Sequence, residues 1–143
     1  MVKYLKILLI EQGKTVMNKG DIAKENFSLG LNCAQAVLLA FKDEIGVEEE
    51  TLKKIIIGFG GGFARQRLVC GAVSGMTAAI SYLLSNGNDK LNAYAIVKEA
   101  LDLFKEKTGS LVCAELLADE KIPCGELCAI AAQIVQEMLE KHN

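Results

Sequence analysis

Apolar residues recur along this chain at steps of three and four, the period of an amphipathic α-helix. Cys33, Ala36, Val37, Ala40 and Phe41 form one such stripe, and Leu52, Ile55, Ile56 and Phe59 form a second. Ala93, Ile96, Val97, Ala100, Leu101 and Phe104 make a third, and Leu127, Cys128, Ala131, Ile134, Val135 and Met138 a fourth. From Gly71 to Leu84 the chain is apolar nearly all round, which predicts a buried central helix over about 70–84. Gly46, Gly58 to Gly62, the Asn86-Gly87-Asn88 turn and Gly109 punctuate the helices. No period-two alternation lasts long enough to form a strand. The expected fold is all-α, a compact single-domain bundle of about six or seven helices around the 70–84 helix.

The pattern is clear over 18–143 and weaker before it. Residues 1–17 read as an N-terminal extension, a loosely attached helix, with Met17 as an alternative start. The longest early apolar run, Ile7 to Ile10, lies between Lys6 and Glu11. A spanning helix needs about 20 apolar residues, and a signal peptide needs a longer apolar stretch than this. The expectation is a cytoplasmic protein with no membrane span. A net charge of −2, with acidic and basic residues interspersed, predicts no nucleic-acid partner, because that would need a clustered basic face.

The five cysteines change the picture. In a reducing compartment stable disulfides are rare, which leaves inert buried thiols, reactive thiols or metal ligands. Four of the five fall at predicted helix starts. Asn32 reads as an N-cap with Gln35 in the capping-box position, so Cys33 opens its helix. Gly109 ends one helix and Ser110 caps the next, putting Cys113 at its third position. Pro123 suits the first helical position, and Cys124 follows it. Cys70 opens the central helix if that helix begins near Val69. A helix N-terminus favours the thiolate, whereas apolar burial favours the thiol, and the sequence leaves the net sign open. Cys128 lies mid-helix on the core stripe. It reads as core, with a resolving thiol or extra ligand as the alternative.

The run Gly58-Phe59-Gly60-Gly61-Gly62-Phe63 precedes Arg65 and Arg67. Gly60, Gly61, Gly62 and Arg65 could hold an anion through converging N–H groups and a cation. The other reading is a tight interhelical bend beside the cysteines. It is not a P-loop, since no Gly-Lys-Ser/Thr follows. Gly71, Gly75 and Ala79 share one helix face, which predicts close helix packing.

Taken in order, Asn32-Cys33-Ala34-Gln35-Ala36-Val37, the Gly58 to Gly62 loop, Cys70-Gly71-Ala72-Val73-Ser74-Gly75, Gly109-Ser110-Leu111-Val112-Cys113 and Cys124 resemble the C_GCAxxG_C_C family. That family is described as redox-active proteins of about this length with four characteristic cysteines. The resemblance covers roughly residues 18 to 140. It implies that the four are Cys33, Cys70, Cys113 and Cys124, because the spacing to Ala131-Ala132 fits Cys124 rather than Cys128. A proline commonly follows the fourth cysteine in the family, whereas here Gly125 follows and Pro123 precedes.

Three functions remain open. The first is thiol–disulfide chemistry, as in a thiol oxidoreductase, with Cys113–Cys124 and Cys33–Cys70 as natural pairs and an unidentified redox partner. The second is an electron-transfer module in which Cys33, Cys70, Cys113 and Cys124 ligate an iron–sulfur cluster or, less readily, zinc. The third is a structural helical domain with inert thiols. The single histidine, His142, adjoins the C-terminus, which argues against a Cys–His nucleophile pair. The apolar central helix in so short a chain is compatible with a homodimer.

Overall fold

A computed structural model describes residues 18–119 and 121–142. The expected helix at 1–17 lies outside the described residues. In chain order the elements are α1 (Lys19–Ser28), α2 (Cys33–Leu39), α3 (Lys42–Ile45), α4 (Glu49–Ile56), a 3-10 turn (Ile57–Phe59), α5 (Gly60–Phe63), α6 (Gly71–Leu84), α7 (Lys90–Thr108), α8 (Cys113–Asp119) and α9 (Cys124–His142). Among the described residues seven helices run for seven residues or more, and α3 and α5 are single turns. The fold is all-α. The one departure from helix and loop among the described residues is an isolated antiparallel bridge, Val69 to Val112. No described helix is long and apolar enough to cross a membrane.

The innermost element is α2. It packs on α1, α4, α6 and α9, and every residue from Ala34 to Leu39 is buried. Its start is set locally. Asn32 Oδ1 accepts from Gln35 N at 2.9 Å, and Gln35 Oε1 accepts from Asn32 N at 3.1 Å, which closes the capping box. Both side chains also reach outward. Asn32 Nδ2 donates to Ile57 O at 2.9 Å and Gln35 Nε2 to Lys53 O at 3.3 Å, so the cap fastens α2 to the end of α4. The other end is tied down by Lys19, whose Nζ donates to Ala40 O at 2.9 Å and sits 2.6 Å from Glu44 Oε1.

The 70–84 helix is central, but its two sides differ. Gly71, Ala72, Val73, Gly75, Met76, Ala79 and Ile80 are buried against α2, α7 and α9. Ser74, Thr77 and Ala78 instead line an open apolar groove with Phe59, Phe63 and Leu101, and Tyr82 is exposed. The all-round apolar character of α6 therefore overstates its enclosure, because α7 covers only part of its outer side.

Two glycines let α6 lie directly on α2. A Cβ at Gly75 would stand 2.6 Å from Ala34 O, and one at Gly71 would stand 2.2 Å from Cys33 Sγ and 3.2 Å from Phe59 O. The shared Gly71, Gly75 and Ala79 face is thus a packing surface. Forcing a methyl group against rigid backbone costs about 1–3 kcal/mol. Gly75→Ala should lower unfolding stability by about that amount in a denaturant titration. Gly58→Ala, where no atom lies within 4 Å of the added carbon, should leave it nearly unchanged.

Candidate functional site

Cys33, Cys70, Cys113 and Cys124 line one pocket of about 50 Å³. Four separate elements deliver them. Cys33 is the first residue of α2, Cys70 the N-cap of α6, and Cys113 and Cys124 the first residues of α8 and α9. The rest of the wall includes Gly61, Arg67, Gly71, Leu116 and Leu127. Cys70 and Cys113 are buried, whereas Cys33 and Cys124 are half-buried, and none is in a disulfide.

Cys113 starts its helix two residues later than the Ser110 cap predicts. Backbone pairing is the cause. Val112 is drawn into the bridge with Val69, Cys70 N donates to Leu111 O at 2.8 Å, and Cys113 N donates to Leu68 O at 2.6 Å. This extended pairing binds the segment before α6 to the segment before α8. It sets Cys70 and Cys113 side by side. Ser110 Oγ is spent on Val112 N at 3.0 Å.

Next to this pairing the chain makes an unusual bend. Gly61 and Gly62 have φ of 69° and 70°, and the left-handed backbone continues through Phe63, Ala64 and Arg65 and returns at Arg67, with φ between 53° and 66°. A non-glycine residue held there costs roughly 1–2 kcal/mol and persists only where its surroundings hold it. The holding bonds are Arg67 N to Gly61 O at 3.2 Å, Leu68 N to Gly62 O at 3.1 Å and Ala114 N to Arg67 O at 3.2 Å.

Within the predicted anion loop, Gly60 and Gly62 serve close approach. A Cβ at Gly60 would stand 2.5 Å from the Asn32 side chain, and one at Gly62 would stand 2.8 Å from Cys113 Cβ. Gly61 lines the pocket. Arg65 is exposed and does not, and the arginine on the pocket wall is Arg67. Its Nη1 donates to Cys113 Sγ at 3.8 Å. The sequence names both arginines but does not separate them, because two arginines with one residue between them in an irregular loop carry no periodicity.

Burial decides the protonation of the deepest thiols. It pushes Cys70 from the ordinary 9.0 up to about 12, only partly offset by the N–H groups of Val73 and Ala72 at the start of α6. Cys124 is also raised, by burial first and then by the neighbouring Cys33 and Cys113 sulfurs, with Arg67 opposing. Cys128 is raised by burial as well. It is fully buried in the core, off the pocket wall, with its Sγ 3.8 Å from Cys33 O. Among the described residues no three His, Cys, Asp or Glu side chains are grouped so as to hold a metal ion as they stand. His142 is far from loose, with Nε2 3.2 Å from Glu99 Oε2 on α7.

These thiols should separate by reagent access. Iodoacetamide at pH 8, read by peptide mass mapping, should modify Cys33 and Cys124 well before Cys70 and Cys128. Folding binds the Cys70 proton more tightly than the unfolded chain does, so its contribution to stability is complete below pH 9 and declines as pH rises from 9.0 towards about 12. Denaturation at stepped alkaline pH should show that decline, and Cys70→Ala should remove part of it.

Comparison with known proteins gives one match. Residues 31–138 match the family described as "Putative redox-active protein (C_GCAxxG_C_C)". No curated protein and no solved structure matches the chain.

Proposed function

This chain belongs to the C_GCAxxG_C_C family, and on that premise we propose that Cys33, Cys70, Cys113 and Cys124 form a redox centre working by thiol–disulfide exchange. The observation that carries the reading is the shared pocket, in which residues up to 91 positions apart in sequence (33 to 124) face one small space. Half-buried Cys33 and Cys124 are open to a partner, and the buried thiols behind them supply the second sulfur. A site thiolate attacks one sulfur of a partner disulfide, a mixed disulfide forms, and a partner thiolate leaves. A second site thiolate then attacks the mixed disulfide and frees the remaining partner sulfur. The site loses two electrons and two protons, and the partner disulfide becomes two thiols.

One observation favours a second reading. Four sulfurs line the pocket where exchange needs two, and four cysteines are the donor set of an iron–sulfur cluster, with zinc the weaker candidate. In that reading the same four side chains would hold the group, a cluster (but not zinc) would supply one-electron chemistry, and Cys70 would be held as thiolate by the metal rather than as the thiol that burial favours. Among the described residues no three such side chains are grouped for a metal ion as they stand, which supports exchange as the first reading.

Anaerobic purification followed by iron and sulfide analysis, visible absorption and a free-thiol count separates the two. Exchange predicts colourless protein that loses two thiols to mild oxidation and regains them with dithiothreitol. Stoichiometric iron and sulfide would favour the cluster. Neither result would leave both readings without support.

A further inference from the structure

Resting on the exchange reading, we propose that Arg67 is a positioning residue, a fixed cation that holds Cys113 Sγ and favours the reduced state of the Cys113–Cys124 pair. Among the described residues Arg67 is the single charged one on the pocket wall. Its Nη1 donates to Cys113 Sγ at 3.8 Å, within hydrogen-bonding range for sulfur. The guanidinium keeps its charge at any physiological pH and only donates. A thiolate sulfur is a strong acceptor for such a donor, whereas a disulfide sulfur is neutral and a weak one. The contact therefore strengthens on reduction to the thiolate, the form that takes part in exchange. A group that binds one state better than the other shifts the equilibrium by that difference and no more.

The backbone is arranged to keep this contact. Arg67 sits at φ 63°, in the left-handed region, and Ala114 N, the residue after Cys113, donates to its carbonyl at 3.2 Å. Cys113 N in turn donates to Leu68 O, the residue after Arg67, at 2.6 Å. Arg67 and Cys113 are thus bound to each other's neighbours, which fixes the backbone from which the guanidinium reaches the sulfur. Cys124 is the other member because it is half-buried and shares the pocket wall with Arg67 and Cys113, whereas Cys33, the other half-buried sulfur, lies against Gly71 beside Cys70. Cys70 and Cys128 are too deeply buried to meet a partner directly.

The test uses oxidised and reduced glutathione as the probe. One glutathione disulfide takes two electrons from the pair, the chain gains one disulfide, and two glutathione thiols are released. The whole chain is equilibrated across a series of ratios as wild type, Arg67→Asn and Arg67→Lys, and the disulfide is mapped by mass spectrometry. Asparagine tolerates left-handed backbone, so Arg67→Asn removes the charge without forcing the loop to refold. The expected result is a Cys113–Cys124 disulfide whose formation constant rises about tenfold in Arg67→Asn, the size of losing one hydrogen bond to a charged group. Arg67→Lys should return most of the way to wild type, which a purely structural role would not produce. Equal constants for wild type and Arg67→Asn, or a lysine variant as readily oxidised as the asparagine variant, overturn the proposal. A disulfide between Cys33 and Cys70 overturns the pair assignment while the exchange reading stands. No disulfide in the wild type at any ratio overturns both.

Discussion

The direct contact of α6 with α2 is the constraint on which the rest of the molecule depends. Ordinary helix pairs stand 8–10 Å apart because side chains fill the gap. Gly71 and Gly75 remove two of those side chains on the face that meets Ala34 and Val37. The gain is not only dispersion contact along the seam. Gly71 also leaves the space that the Cys33 sulfur occupies, one residue after Cys70. A motif that reads as a redox signature is thus, at two of its positions, a packing device, and it is the packing that brings the first two sulfurs together.

The second pair of sulfurs is brought in by different means. Cys113 arrives through backbone pairing across Val69 and Val112, and Cys124 arrives as the first residue of a long helix anchored along α1, α2, α6 and α7. The bend from Gly61 to Arg67 closes the pocket between them. Its left-handed residues are tolerated because three backbone bonds and the fit of Gly62 against Cys113 hold them. Within this enclosure burial outweighs the favourable N–H groups at the helix start for Cys70, so that thiol holds its proton and is not a ready nucleophile. The sulfurs nearer the rim are those of Cys33 and Cys124, and among the described residues Arg67 is the cation on the same wall.

The helices were legible because their apolar stripes repeat with the right period over long spans, as in α7 and α9. The start of α2 was legible because Asn32 and Gln35 form a capping box that depends only on local chain. Gly109 closes α7 at φ 97°, as its position suggested. What was hidden depends on distant partners. The late start of α8 follows from Val112 pairing with a residue 43 positions away (112 − 69), and nothing local in Ser110 to Cys113 announces it. The open side of α6 was hidden because an apolar residue reads alike whether a neighbour covers it or not. Arg67 rather than Arg65 faces the sulfurs because of a sequence of positive φ angles that only the folded loop fixes.

Cys128 adds an arithmetic consequence. Five cysteine sulfurs cannot all be paired within one chain, so however the pocket cysteines are oxidised, at least one thiol is left over. While the helices stay packed, Cys128 lies sealed at zero exposure in the core, out of contact with other molecules. Once the bundle opens, that sulfur meets solvent and other chains. Loss of the fold in oxidising surroundings would therefore add a further thiol to those able to link chain to chain, one that the packed helices keep out of reach.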